Sequence, residues 1–136
     1  MLDDKIVFVT GGTGSFGNAF IKKVFEKYNP RKVIVYSRDE LKQYEMQQVW
    51  LEKNPSAPIN FFLGDVRDLP RLEMAMKGVD IVVHAAALKH VPATEYNPFE
   101  AVKTNIIGAQ NIIDSALKNG VKRVLALSTD KAAAPV

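Results

Sequence analysis

Ile6-Val7-Phe8-Val9-Thr10-Gly11-Gly12-Thr13-Gly14-Ser15-Phe16-Gly17 decides the fold. Its first four residues are apolar and mostly β-branched, the composition of a buried strand. The glycines that follow are spaced Gly-x-x-Gly-x-x-Gly. A helical pattern comes next, with Phe16, Ala19, Phe20 and Val24 on one side and Lys22, Lys23, Glu26 and Lys27 on the other. Strand, glycine turn and helix together give the motif its meaning. Gly11 permits a tight turn, Gly14 lets backbone approach a pyrophosphate, and Gly17 lets the helix pack close to the sheet. Gly11, Thr13, Gly14, Ser15, Phe16 and Gly17 are therefore candidate phosphate contacts at a helix N-terminus.

Outward from this turn, strands and helices alternate. The first helix runs from Phe16 to about Tyr28, and Lys32–Tyr36 is the second strand. A helix from Asp39 or Glu40 to about Lys53 follows, then a strand at Ile59–Leu63. The face of that helix is uneven: Tyr44 and Trp50 either cover the sheet edge or face a ligand, a partner or solvent. Leu69–Met76 reads as a short helix with Leu69, Leu72 and Met76 inward, and Asp80–His84 as the fourth strand. Ala85–Tyr96 is a loop of small and polar residues. Asn97 caps a long helix with Pro98 first and Glu100 third, a capping box, and Gly120 stops it. Its expected buried stripe is Val102, Ile106, Ala109, Ile113 and Ala116-Leu117. Lys122–Leu127 is the fifth strand.

Continuously apolar strands alternating with helices predict an α/β fold, a doubly wound, Rossmann-like parallel sheet covered on both faces in order 3-2-1-4-5. Ligands of such sheets bind beyond the carboxyl ends of the strands. The polar outliers gather there: Ser37-Arg38-Asp39, Asp65, Ala85 to His90, and Ser128 to Lys131.

Composition narrows the classes. The 136 residues suffice for one core, and 47% apolar with 24% charged residues is a folded, soluble mix. A net charge of +3 without a basic block or basic-aromatic stripe does not indicate nucleic acid. The absence of cysteine excludes disulfides, thiolate zinc sites and cysteine nucleophiles. Two histidines, far apart, do not make a metal cluster. With no signal peptide and no apolar run near the ~20 residues of a membrane span, a soluble cytoplasmic protein is expected.

Each candidate has a plain alternative. At the second strand's tip, Ser37 can donate to a phosphate, Arg38 can face a 2′-phosphate with its planar fork, and Lys42 adds charge one turn on. These favour NADP over NAD. Against them, Asp39 could serve ribose, and Arg38 could be a solvated surface residue. Asp65 either accepts from an adenine amino group, with the Val66 backbone completing recognition, or caps a turn. Ala85-Ala86-Ala87 either leaves room for the nicotinamide ribose and bridging phosphates or packs tightly. His84 reads as a structural strand-end residue. Lys89 and His90 could touch substrate phosphate or sugar, or lie on the surface. Asn105 could brace the sheet end by bonding a strand carbonyl. Asp130 and Lys131 could divide acid and base work or form a surface ion pair.

Together with Gly64-Asp65-Val66-Arg67-Asp68, His84-Ala85-Ala86-Ala87 and Ser128-Thr129-Asp130, the glycine turn resembles the extended short-chain dehydrogenase/reductase superfamily. Three longer runs narrow the resemblance: Tyr36 to Gln43, Ala85 to Pro92, and Leu127 to Ala133. They resemble the inverting UDP-N-acetylglucosamine 4,6-dehydratases of the bacterial polysaccharide-biosynthesis family, of the type that opens pseudaminic acid synthesis for flagellin glycosylation.

The resemblance implies oxidation of UDP-N-acetylglucosamine at C4 by NADP+, loss of water across C5 and C6, hydride return to C6 and inversion at C5. It implies Asp130 as the acid for loss of the hydroxyl and Lys131 in proton transfer at C5. Thr129 would lie near the 4-hydroxyl, and Lys89 and His90 beside the substrate. Lys89, Asn105 and Ser128 would complete the cofactor contacts. Lysine rather than glutamate after the aspartate agrees with the inverting group. It also implies a homo-oligomer at full length. The family's Tyr-x-x-x-Lys element has no counterpart in residues 1–136, read as an NADP-binding domain cut before that helix and the UDP-sugar domain. The chain alone is expected to be inactive. Alternatives are a UDP-sugar 4-epimerase or another NAD(P)-dependent sugar-nucleotide enzyme, a stand-alone dinucleotide-binding module, and a flavodoxin-like signalling domain, which the glycine turn opposes.

Overall fold

The computed structural model describes residues 1–85 and 98–126. Along them run β1 (Ile6–Thr10), α1 (Ser15–Lys27), β2 (Lys32–Ser37), α2 (Glu40–Lys53), β3 (Ile59–Leu63), α3 (Leu69–Ala75), β4 (Ile81–His84), α4 (Pro98–Lys118) and β5 (Arg123–Ala126). All strand pairs are parallel, and the sheet order is β3-β2-β1-β4-β5, as expected. Thr10 stands opposite both Tyr36 and His84, and Ser37 opposite Leu63. The carboxyl tips of β1 to β4 therefore line one edge of an open Rossmann-like sheet.

Alternate residues of each strand point to opposite faces. Val7, Val9, Val33, Val35, Ile81 and Val83 meet Ile21 and Val24 of α1 and Met46 of α2. Phe8, Ile34, Tyr36 and Val82 meet Leu72 and Ala75 of α3 and Ile112 and Ala116 of α4. Asp39 caps α2 by accepting from the Lys42 N–H at 3.0 Å, and Asp68 caps α3 by accepting from the Arg71 N–H at 3.2 Å. Gly120 ends α4 with a φ of +67°, a left-handed stop. Asn97, the expected cap of α4, lies outside the described residues.

Three expected faces are corrected. On α1 the buried residues are Gly17, Ile21 and Val24. Val24 is on the expected side, and Phe20 is half-buried and packs against the same core, but Ala19 is exposed and so is Phe16, which stacks on Phe20 with centroids 6.2 Å apart. On α4 the buried residues include Gly108, Ile112, Ser115 and Ala116, whereas Ile106, Ile113 and Leu117 are exposed; the Val102 side chain lies outside the described residues. Small residues face inward there because α4 approaches its neighbours closely: a Cβ on Gly108 would sit 2.8 Å from Val66 Cγ2. β5, at one edge of the sheet, is exposed along its length rather than covered on both faces. In α2 the open reading resolves: Trp50 packs on Phe25 with ring centroids 5.0 Å apart, and Tyr44 is exposed. Among the described residues no helix is long and apolar enough to cross a membrane.

Tyr36 joins the core to the site edge. Its ring, 1% exposed, lies between Phe8 and Phe62, at 5.3 and 5.9 Å, and its hydroxyl donates to the Asp65 carbonyl at 2.9 Å. Burial pushes its ionisation up to about 12, so it stays a donor. A Cβ on Gly64 would lie 2.4 Å from the Tyr36 hydroxyl oxygen. Gly64→Ala should therefore lower the unfolding free energy by about 2 kcal/mol, read as a lower urea midpoint at unchanged slope. An unchanged midpoint would show that the ring can give way.

Candidate functional site

The glycine turn lies at the site edge, between β1 and α1. Gly11 has a φ of +66° and donates its N–H to the Tyr36 carbonyl of the neighbouring strand at 3.2 Å. Gly14 donates to the Gly11 carbonyl at 3.2 Å and then stands as the N-cap of α1 in extended conformation. No side chain caps this helix, and its first turn holds no acid. Asn18 Nδ2 donates to the carbonyls of Thr13 and Gly14, both at 3.1 Å, and so fixes the turn from behind. A Cβ on Gly17 would lie 2.4 Å from Gly12 Cα, so the helix start is pressed against the turn. A Cβ on Gly14 would meet only the Gly11 carbonyl, at 3.5 Å. An uncapped helix start with open space above Gly14 fits a dinucleotide pyrophosphate.

The adenosine side is built from the tips of β2 and β3. Arg38 is 56% exposed, with Nη1 3.7 Å from Asp65 Oδ2. Arg67 grips Asp65 more closely, with Nη2 at 2.8 Å from Oδ2 and its backbone N–H donating to Oδ1 at 2.9 Å. The Arg67 hydrogen bond, more than any other contact, holds the Asp65 carboxyl below its usual 3.8, with burial acting the other way. Asp39, the possible ribose acid, spends its carboxylate on the cap of α2. Lys42 is exposed in the first turn of that helix.

Supports that sequence reading missed hold these tips. Gln43, buried on α2, donates through Nε2 to the Ser37 and Phe62 carbonyls and to Ser37 Oγ. Arg71 donates to the Leu63 carbonyl at 2.9 Å and lies over the Phe62 ring. Asn111 Nδ2 donates to the Val66 carbonyl at 3.0 Å. Asn105, considered for a bond to a strand carbonyl, is exposed, and the bond of Asn111 is to the loop after β3. The only sequence signal for Gln43 was the broken apolar pattern of α2.

At the tips of β1 and β4, Thr10 Oγ1 and His84 Nδ1 form a buried hydrogen bond of 2.7 Å. Burial pushes the His84 pKa below its ordinary 6.5. His84 is thus the structural strand-end residue expected. Ala85 is buried next to it. Ala86, Ala87, Lys89, His90, Ser128, Thr129, Asp130 and Lys131 lie outside the described residues.

The polysaccharide biosynthesis protein family matches residues 7–136. The inverting UDP-N-acetylglucosamine 4,6-dehydratase of Campylobacter jejuni (serotype O:23/36, strain 81-176) is 56% identical over 136 residues, 100% of this chain and 40% of the relative. A UDP-glucose 4-epimerase of Rickettsia canadensis is 46% identical over 139 residues, again 100% of this chain and 40% of the relative. The X-ray structure of Pen from Bacillus thuringiensis superposes with a TM-score of 0.82 at 42% identity, covering 92% of this chain and 39% of that one. The chain thus spans about 40% of the length of these curated relatives.

Two glycines should separate folding from binding. Gly14→Ala should change the unfolding free energy by no more than about 0.5 kcal/mol yet weaken dinucleotide binding at least about tenfold in calorimetric titration. Gly17→Ala should cost about 2–3 kcal/mol of stability, because its Cβ meets backbone. Equal effects of the two on stability would refute this division. His84 makes a pH prediction. Its folded pKa is depressed, so it is neutral in both states above 6.5 and takes a proton first in the unfolded chain. Stability should fall as pH drops below about 6.5, and His84→Gln should flatten that slope in denaturant melts; an unaltered slope would assign it elsewhere.

Proposed function

Because the chain belongs to the polysaccharide biosynthesis protein family, we propose that it is the dinucleotide-binding part of an NADP-dependent, inverting UDP-N-acetylglucosamine 4,6-dehydratase. The observation that carries this reading is the 56% identity with the Campylobacter enzyme across the whole chain. The tip of β2 supports NADP: Arg38 is exposed beside Ser37, and the nearest rival acid, Asp39, is engaged as a helix cap. A guanidinium there suits a 2′-phosphate, whereas a free carboxylate would repel it.

In this reading the turn from Gly11 to Gly17 binds the pyrophosphate. Ser37, Arg38 and Lys42 hold the 2′-phosphate, and Asp65 with the Val66 backbone reads adenine. Ala85, Ala86 and Ala87 leave room for the nicotinamide ribose, and Lys89, Asn105 and Ser128 complete the contacts. NADP+ held there would supply the acceptor for the C4 hydride and, once reduced to NADPH, the donor of that hydride to C6. Asp130 protonates the departing C6 hydroxyl, Lys131 moves the proton at C5, and Thr129 orients the sugar near its 4-hydroxyl. Lys89 and His90 face the substrate. Protonation of C5 from the opposite face gives the UDP-linked 2-acetamido-2,6-dideoxy-β-L-arabino-hexos-4-ulose. The same reading makes the whole protein a cytoplasmic homo-oligomer serving a pathway of the pseudaminic acid and flagellin-glycosylation type. It makes residues 1–136 the NADP-binding domain, with no dehydratase activity expected of these residues alone. A second reading, UDP-sugar 4-epimerase, is favoured by the 46% identity with the Rickettsia protein; Lys131 after Asp130 speaks for the dehydratase.

Calorimetric titration of the 136-residue chain should give tighter binding of NADP+ than NAD+, with the difference reduced about tenfold or more in Arg38→Ala. Equal affinities would overturn the NADP assignment. For the reaction, a chain carrying the remaining length of the relatives is incubated with UDP-N-acetylglucosamine in D2O. A dehydratase leaves one solvent deuteron at C5 and a C6 methyl group by NMR. An epimerase leaves neither, and that result would move the assignment to the second reading.

A further inference from the structure

Gln43 is a buried amide on a helix whose neighbouring side chains are mostly exposed. Its Nε2 reaches the Phe62 carbonyl at 3.0 Å, the Ser37 carbonyl at 3.2 Å and Ser37 Oγ at 3.0 Å. Two of these three partners are carbonyl oxygens, which only accept, so the atom facing them is the amide nitrogen. An amide nitrogen only donates. Its two protons serve three acceptors, one going to the Phe62 carbonyl and the other shared between Ser37 Oγ and the more distant Ser37 carbonyl, so Ser37 Oγ accepts from Gln43 and the hydroxyl proton of Ser37 is not spent on that contact.

We propose that Gln43 is a positioning residue that fixes Ser37 as a hydrogen-bond donor at the tip of β2, and through it sets a preference for a dinucleotide bearing a 2′-phosphate. This rests on the reading of that tip as the adenosine ribose site. A phosphate oxygen accepts only, so it gains most from a hydroxyl whose proton points outward. A ribose hydroxyl both donates and accepts, and is nearly indifferent to the polarity of Ser37. Arg38, exposed beside the same tip, brings the charge, and Gln43 sets the direction of the neighbouring dipole. Gln43 also ties β2 to β3, so lost stability alone says nothing about this role.

The test uses adenosine 2′,5′-bisphosphate and 5′-AMP as probes, titrated into the chain, Gln43→Met, Ser37→Ala and the double variant. The readout is the ratio of the two affinities, which a merely structural loss would not move. The ratio should exceed one in the unaltered chain and fall about tenfold in each single variant. In the double variant it should fall no further, because Gln43 acts through Ser37. Independent, multiplying losses would overturn the coupling. An unchanged ratio in Gln43→Met, with the unaltered chain still preferring the bisphosphate, would overturn the role of Gln43 and leave the NADP reading standing. A ratio of one in the unaltered chain would overturn both. If Gln43→Met does not fold, Ser37→Ala still decides, since a retained preference there contradicts the proposal.

Discussion

At the start of α1 the backbone of Gly17 lies against that of Gly12, with no room for a side-chain carbon between them. This contact sets where the helix begins and how closely it approaches the sheet. It leaves Gly14 as a bare cap, with the first-turn N–H groups directed at the shared edge of the strands. A bulkier residue at either position would lift the helix away and change what that edge can hold. The later tips inherit their place from β1, since β2 and β4 pair directly with it and β3 pairs with β2.

The sequence reading succeeded where one residue type has one local use. The strands, their order, the left-handed stop at Gly120 and the position of Arg38 and Asp65 at the sheet edge all follow from local patterns. A parallel sheet brings every carboxyl tip to one side, so polar residues at strand ends share a neighbourhood without any side chain being placed.

It failed where two faces compete. α4 carries apolar residues on two sides: Ile106, Ile113 and Leu117 are exposed, whereas Ile112 is buried with Gly108, Ser115 and the expected Ala116. Periodicity finds both stripes without ranking them. Close approach to Val66 requires Gly108 on the buried side. α1 repeats this, with Gly17 inside and Phe16 outside. Gln43 was hidden for another reason: its partners come from two strands whose proximity exists only after folding. Asn111 rather than Asn105 braces Val66 because one polar residue on a helix cannot be told from another without its neighbour.

The two cores on either side of the sheet differ in when their residues are made. Among the described residues, the core beneath α1 and α2 draws on nothing later in sequence than Val83. The opposite core waits for Ile112 and Ala116. At ~5–20 residues per second, translation separates them by roughly seconds. For that interval Phe8, Ile34 and Tyr36 have strand partners but lack the α4 part of their cover. A nascent chain would therefore expose the face that α4 covers after the described residues of the other face have been made, a condition that favours chaperone capture.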